Sequence, residues 1–536
     1  MKKKLEYLYE NIINEKNFNK PKNNYNKIHK YWSRKPSNIV QNYISTYSEE
    51  GETILDPFCG SGIVGLESIL NKRNFIGSDI NPISLLISNV TLNNNFDLDE
   101  IRESYCQHIT KLKNKINDYY KVNTTCDCCN NHLSIKFIGI GPKFENDFPA
   151  RLYCPICNKK SCEKNVIITR TEYNHSYPDT KLLENDIKWV PNIKFPKKFY
   201  KDRFSYKGIS KVTDMYTSRN LTSLSLILNE INNLPPNIKD FFLVAFTNTV
   251  LHSSILKGIN IRPLGVNNYW VPDDYIEENV WFRFEDRFKI LLKTKEEIVN
   301  MISSKNSIGK FTLNKIAAED INLPNEVDYI FTDPPYGDAI QYSELSYMWN
   351  SWINEEVDIN KEVIINPKQN KGKEEFKHLF ELSITNISKQ LKLNGHFTLC
   401  FQNKEFSVWK DIIEIFKSNN FNLVDIKIHD TLGNSFNKSW SKFSPKTDIY
   451  LTFMKVKTNV TNKTNSNHFE DSLRNIVTTV INFLKEKNEI ITPQIIYDLT
   501  VSLLISNYFE NEGYTLKESF TIKDFNTIVN DLVKIL

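Results

Sequence analysis

TILDPFCGSGIVGLESILNKRNFIGSDI, residues 53–80, packs two strand-like runs around a glycine turn and a helical pattern. The first apolar run, TILDPF, breaks at CGSG, where Gly60 and Gly62 permit the positive φ of a tight turn and the close approach of a ligand. Ile63, Val64, Leu66, Ile69 and Leu70 follow at helical spacing, and NFIGSDI resumes the strand pattern. Strand, turn, helix and strand in this order make half of a doubly wound α/β unit. A tight βα connection explains the glycines, but not the acid at the end of each strand, Asp56 and Asp79. Asp79 stands seventeen residues beyond Gly62, where an acid can accept hydrogen bonds from a ribose diol.

Gly65 does not restore the spacing of a pyrophosphate cradle, so a nucleoside without phosphates, such as S-adenosylmethionine, is the expected ligand. Outward from this unit, a length of 536 residues implies two to four domains. A hydrophobic content of 40% with 12% aromatics excludes a disordered class. The opening MKKKLEYLYENIINEK lacks the apolar segment of a secretory signal, and no apolar run reaches membrane-spanning length. A soluble, cytoplasmic protein with no membrane partner is expected. A net charge of only +4 leaves nucleic-acid binding to local patches.

Strand patterns resume at VDYIFTD, GHFTLCF, FNLVDIKIHD and TDIYLTFMKV, and complete the sheet after a long insertion. The polar run TNVTNKTNSNH, 458–468, reads as a linker to three amphipathic helices, the second opening at Thr492-Pro493. Between 331 and 342, FTDPPYGDAIQY ends a strand in an aspartate, two prolines and an aromatic residue. A plain loop would use Pro-Pro to stop the ladder, since neither ring nitrogen can donate.

DPFCGSG, GSDINP, TDPPYGDAIQYSELS and the upstream HKYWSRKP (29–36) together resemble the amino-group DNA methyltransferases, which modify the exocyclic amines of adenine or cytosine. The likeness is greatest to bacterial adenine-specific DNA methylases with a zinc ribbon and covers roughly residues 25–455. Motif order resembles the family's α group, whereas the wording of DPFCGSG resembles its β group. The implied fold is α/β: a Rossmann-like S-adenosylmethionine-dependent methyltransferase sheet, interrupted by a zinc-ribbon and helical insertion, plus a C-terminal helical segment. The expected division is 1–95, N-terminal motif and cofactor-binding half; 96–165, helix and zinc ribbon; 166–305, basic, aromatic and helical insertion for target recognition; 306–457, catalytic half; and 458–536, linker and terminal helices. Cofactor contacts are implied at Asp56, Pro57, Phe58, Gly60, Gly62, Asp79 and Asn81. Tyr31, Trp32 and Lys35 would close over the methionine end, with Lys35 on its carboxylate, or serve as packing and surface charge. Asp320, at the end of a strand expected through AAEDI, would bind the adenine amine or be a solvated loop carboxylate.

The resemblance makes Asp333, Pro334, Pro335 and Tyr336 catalytic. An aromatic amine is a poor nucleophile because its lone pair is delocalised into the ring. A carboxylate on Asp333 and the Pro334 carbonyl can accept its two hydrogens and favour a tetrahedral nitrogen, and the stiff prolines hold both acceptors still. Tyr336 would stack on a base flipped out of double-stranded DNA. The related cytosine enzymes usually carry serine in place of Asp333, which favours N6-adenine over N4-cytosine. The alternatives are RNA amino-group methylation, since guanosine-modifying enzymes share Asp-Pro-Pro-Tyr, and a non-enzymatic zinc-ribbon DNA-binding subunit. Restriction–modification or phage defence is the expected setting. The sequence carries no convincing nuclease motif, so a cleavage partner would be a separate restriction or defence subunit.

Six of the nine cysteines lie between Cys126 and Cys162. Cys126-x-x-Cys129 and Cys154-x-x-Cys157 are spaced for one structural Zn²⁺, each pair followed by an asparagine (Asn130, Asn158) that tolerates the left-handed backbone of a knuckle. Cys128 and Cys162 are rival ligands; a redox pair or buried free thiols are the other readings. Lys188 to Lys211 holds eight Lys or Arg against the single acid Asp202, interleaved with Trp189, Phe195, Phe199, Tyr200, Phe204 and Tyr206. Such a stretch can neutralise phosphates and stack bases, or turn its aromatics inward beneath solvated lysines.

Overall fold

The computed structural model describes residues 1–16, 25–197, 199, 204–264, 269–430, 447–458, 469–489, 492–510 and 522–535. The opening stretch folds as its pattern implies: strand β1 (Thr53–Asp56), a helix (Ile63–Leu70) and β2 (Asn74–Ser78). Gly62, at φ +79°, caps that helix in the left-handed region. The helix buries Val64, Leu66, Ile69 and Leu70 beside the sheet.

The insertion follows with β3 (Lys121–Thr125), β4 (His132–Ile140), β5 (Asp147–Tyr153), β6 (Lys164–Thr169) and β7 (Tyr275–Glu278). After it come β8 (Phe311–Asn314), β9 (Val327–Thr332), β10 (Leu391–Phe401), β11 (Phe421–Asp430) and β12 (Thr447–Lys455). Seven of these strands form one sheet in the order β11-β12-β10-β9-β1-β2-β8. β1 is parallel to β2 and β9, β2 to β8, and β9 to β10. β12 runs antiparallel to both β10 and β11. The chain therefore moves outward from β1 to β2 and β8, then returns to the other side of β1 at β9. That reversal is the switch point at which an open α/β sheet binds ligands.

The period-two alternation of the strands distributes their side chains between two cores. Ile54, Tyr329 and Phe331 face one core with helices of the insertion; Leu55 and Ile330 face the other. The second core is closed by the N-terminal helix Lys2–Lys16 and by the terminal helices Phe469–Glu486, Pro493–Phe509 and Ile522–Ile535. Leu5, Leu8, Leu473, Leu499 and Phe525 are all buried there, so the terminal helices cover one face of the sheet. Cutting a fully buried residue such as Ile330 to alanine would cost about 2–5 kcal/mol.

The ribbon sheet is closed by a strand far away in sequence. β7 pairs antiparallel with β4, Phe137 opposite Glu278, although the helices Ser218–Asn232 and Pro236–Val250 lie between them in the chain. β6 crosses the expected division at 165, so ribbon and helices share one packed unit. Its centre holds a buried ion pair, Arg219 Nη2 to Glu277 Oε2 at 2.5 Å, with the guanidinium over the rings of Tyr120, Tyr173 and Tyr177.

Candidate active site

A cavity opens at the switch point and is lined by the C-terminal ends of three strands. Asp56 ends β1, Asp79 follows β2 and Asp333 follows β9. Each is expensive to bury and each is held by specific partners. Asp56 accepts from the Thr332 hydroxyl at 2.9 Å and the Phe58 amide at 3.1 Å. Burial outweighs these bonds and pushes its carboxyl up to about 8. Asp79 accepts from Ser84 Oγ at 2.7 Å and from the amides of Gly60 at 3.0 Å and Asn81 at 2.9 Å. Burial still raises its pKa against those three donors. The Gly60 turn is thereby tied to the second strand, and a Cβ on Gly60 would come within 3.1 Å of the Tyr31 ring.

HKYWSRKP forms the opposite wall. Tyr31, Trp32, Ser33, Arg34 and Lys35 all line the cavity. His29 anchors the segment from behind: Nε2 meets Thr247 Oγ1 at 3.1 Å and the ring stands edge-on to Trp349. Its burial drives the imidazole down to about 3, so it is neutral. Tyr31 stacks on Tyr342 at 6.1 Å between centroids. The indole N–H of Trp32 is buried and has no partner among the described residues.

Lys35 lines the cavity and is paired there with carboxylates. Its Nζ is 2.9 Å from Asp448 Oδ2, 3.3 Å from Asp333 Oδ2 and 2.6 Å from the Tyr336 hydroxyl. Burial alone would lower this ammonium, but the two aspartates outweigh it and hold its pKa well above the ordinary lysine value. The Tyr336 hydroxyl in turn donates to Asp333 Oδ1. For Asp333 burial is the largest influence and raises the carboxyl; Lys35 pulls it back, Asp448 pushes it up, and it settles at about 6.

The cavity lining contains Tyr31, Trp32, Lys35, Asp56, Pro57, Phe58, Gly60, Asp79, Asn81, Asp333 and Pro335 of the expected site. Gly62, Pro334 and Tyr336 are not among the residues that line it. The Tyr336 ring is edge-on to Phe401, at 5.2 Å and 69°. Asp320 is not brought into the cavity. β8 ends at Asn314, and Asp320 lies on the following 3₁₀ turn, exposed and paired with Lys361. The alternation of Phe311–Asn314 is too short to mark where that strand stops, which is why AAEDI reads as its continuation. Two buried acids escaped the sequence reading. Asp448 opens β12 and carries no motif around it. Glu362 lines the cavity, accepts from the Ser343 amide at 2.8 Å and has its pKa raised by burial.

In the insertion, the four sulfurs of Cys126, Cys129, Cys154 and Cys157 lie within 4.8 Å of one another. Cys126 to Cys157 is 3.6 Å and Cys129 to Cys154 is 3.5 Å. Tetrahedral thiolates with metal–sulfur bonds of about 2.3 Å stand about 3.8 Å apart, so the set fits a metal ion. Asn130 and Asn158 take φ of 55° and 46°, the left-handed turn of each knuckle. The basic stretch divides. Phe195, Phe199 and Phe204 are buried against Tyr269, so they are core residues and unavailable to bases. Trp189 and Tyr206 are 40% and 68% exposed. Lys198, Tyr200, Lys201, Asp202 and Arg203 of that stretch lie outside the described residues, as do residues 459–468 of the expected linker.

Residues 2–90 match a DNA methylase family defined by N6- and N4-amino methyltransferases. The orphan methyltransferase M.BamHII of Bacillus amyloliquefaciens is 36% identical over 59 residues, 11% of this chain and 22% of that protein. The type II methyltransferase M.BsoBI of Geobacillus stearothermophilus is 33% identical over 113 residues, 21% and 20% of the two chains. Together these matches support the amino-group DNA methyltransferase family. A further type II methyltransferase, M.MjaII of Methanocaldococcus jannaschii, is 29% identical over 86 residues, covering 16% of each chain. The chain thus spans about a fifth of the length of the curated relatives it matches. Among solved structures, the N-methyltransferase NodS from Bradyrhizobium japonicum is 9% identical, with a TM-score of 0.17, over 31% of this chain and 69% of that one. The α/β fold of the seven-stranded sheet rests on its own strand order, and no helix in the described residues is long and apolar enough to cross a membrane.

Proposed function

We propose that this protein is a site-specific DNA methyltransferase that uses S-adenosylmethionine to methylate the N6 amine of a flipped-out adenine in double-stranded DNA. The observation that carries the reading is the meeting of Asp56, Asp79 and Asp333 in one cavity at the switch point of the sheet. The glycine cradle under Tyr31, the unpartnered Trp32 indole and the acid at Asp79 suit a nucleoside cofactor. Bound there, S-adenosylmethionine supplies an electrophilic methyl group on sulfonium. Asp79 would hold the ribose, with Asn81 and Phe58 beside it, and Tyr31 and Trp32 would exclude water from the methyl.

Asp333 and the Pro334 carbonyl take the two hydrogens of the target amine and turn its lone pair towards the methyl. As the new N–C bond forms, the methyl–sulfur bond would break to leave a neutral thioether and the positive charge would pass to the nitrogen; Asp333 would stabilise that charge and accept the proton the nitrogen must shed. Tyr336 fixes Asp333 Oδ1 through its hydroxyl. Cys126, Cys129, Cys154 and Cys157 hold a structural zinc, and Trp189, Tyr206 and the lysines near them contact DNA. The cytoplasm is the proposed location and restriction–modification or phage defence the proposed setting, with any nuclease on a separate subunit.

The test is nucleoside mass spectrometry of DNA incubated with wild-type and Asp333→Ala protein. N6-methyladenine from the first and none from the second is expected. N4-methylcytosine would move the base assignment, methylation confined to RNA would remove the DNA function, and no methyl transfer at all would leave a DNA-binding role.

A further inference from the structure

Residues 258–264, between the helix Pro236–Val250 and β7, form a tip that carries two exposed isoleucines. Gly258 bridges to Tyr275, and the backbone turns back there, the Ile261 amide facing the Gly258 carbonyl at 3.5 Å. Ile259, Asn260, Ile261 and Arg262 all face solvent, Ile259 39% and Ile261 40% exposed. Pro263 and Leu264 then turn inward and are buried. Leu264 holds a φ of +49°, a left-handed conformation that is costly for a bulky side chain.

The far side of the tip is fastened to the wall of the cavity. The Lys30 ammonium donates to the carbonyls of Pro263 at 3.0 Å and Leu264 at 3.1 Å. It also stands over the ring of Trp32, which lines the cavity. Tyr269 donates its hydroxyl to the Leu345 carbonyl at 3.3 Å, on the short helix that begins at the cavity residue Tyr342. Burial lowers the Lys30 ammonium to about 8 and the nearby Arg262 pushes it the same way, so Arg262 stands close to this anchor.

We propose that Ile259 and Ile261 form a wedge that enters the DNA stack and fills the gap left by the flipped adenine, with Arg262 on an adjoining phosphate. Extruding a base strips its neighbours of a stacking partner, and an apolar side chain in the gap restores part of that contact. Isoleucine suits the task, because its branched Cβ leaves few rotamers to be frozen on insertion. Single exposed isoleucines need no explanation. Two on one tip, anchored to the cavity wall and followed by an arginine, fit an apolar insertion into a polyanion.

This assignment rests on the reading of the cavity as a base-flipping DNA methyltransferase site, and a pair of substrates separates the two. Once the methylated sequence has been mapped, two duplexes carrying it are compared, one with the target adenine paired and one with it facing an abasic site. The second costs less to open. In Ile259→Ala/Ile261→Ala, single-turnover methylation of the paired duplex should fall about tenfold or more, and that of the abasic-opposed duplex about twofold at most. Ile261→Leu, which keeps an apolar wedge, should hold the wild-type ratio between the duplexes. The fluorescence of 2-aminopurine at the target position should rise with the wild type and rise less with the double variant. Equal losses on both duplexes, or none on either, would overturn the wedge and leave the cavity reading standing. An altered oligomeric state beside unchanged rates would assign the tip to a protein contact instead. No methylated sequence in DNA treated with the wild type would remove the methyltransferase reading itself, and the wedge with it.

Discussion

The cavity and the cysteine cluster are assembled in opposite ways. Lys35 and Asp448, in direct contact, are 413 residues apart, and Asp56, Asp79 and Asp333 join them only because β1, β2 and β9 are neighbours in one sheet. All six ribbon sulfurs come from residues 126–162 and are brought together by two knuckles and a short turn. The cavity is therefore a property of the whole sheet, whereas the cysteine cluster is gathered by local sequence, although β7 closes its sheet from far along the chain. The carboxylates are expensive to bury, and the fold offsets that cost with Thr332, Ser84, Lys35 and backbone amides.

Metal removal should separate the two regions most sharply. Structural zinc contributes an apparent 10–16 kcal/mol or so in small zinc-binding domains at neutral pH, far more than any one hydrogen bond. Chelation, or Cys154→Ser, should therefore open β3–β6 to hydrogen exchange while β1, β9 and β10 stay protected. Exchange that rises equally in the sheet strands would mean that the two regions fold as one unit and that the contrast fails.

Within the cavity, Asp333→Ala should retain cofactor binding and lose methyl transfer by about 100-fold or more, the usual cost of removing a preorganised charge-stabilising group. Single-turnover rates at saturating S-adenosylmethionine measure this, and a loss below tenfold would take Asp333 out of the chemistry. Asp79→Ala should do the reverse. It should weaken S-adenosylmethionine by about 1.5–3 kcal/mol in calorimetry, the scale of a hydrogen bond to a charged group. Because Asp79 also ties Gly60 to Asn81, Asp79→Asn, which keeps the shape, should lose less. Equal affinities in all three proteins would leave Asp79 a loop staple only.

The sequence displayed the two regions unequally. Strand–turn–helix–strand at 53–80 was legible because two periodicities meet at fixed glycines, and the ribbon because paired cysteines at x-x spacing have few other uses. The covering of one sheet face by the first and last helices was hidden, since amphipathic patterns do not name the surface they bury. Asp448 was invisible: one acid at the start of an ordinary strand gains its meaning from Lys35, hundreds of residues away. Lys35 was legible as a site residue but not as a partner of Asp333. Phe195, Phe199 and Phe204 misled because aromatics among lysines look alike whether they face bases or a core.

The smallest expected effect probes that hidden residue. On the proposed mechanism Asp333 must be ionised to accept the amine proton, and burial raises its carboxyl to about 6. Methyl transfer should therefore be constant at higher pH and fall as pH drops through about 6. Around Asp333 stand Lys35 from the N-terminal segment, Asp448 on β12, Cys400 on β10, Asp56 on β1, and Tyr336 and Tyr342 beyond β9. Of these, Lys35 lowers the carboxyl and Asp448 raises it. Lys35→Gln removes the cation, so the acidic limb should move to higher pH. Asp448→Asn removes the like charge and leaves Lys35 to Asp333 alone, so the limb should move to lower pH, with little change on the plateau. The two shifts have opposite signs, and a merely structural loss would depress both plateaus without separating the limbs. Limbs that move together, or stay at the wild-type position in both variants, would show that the pair does not set the charge of Asp333.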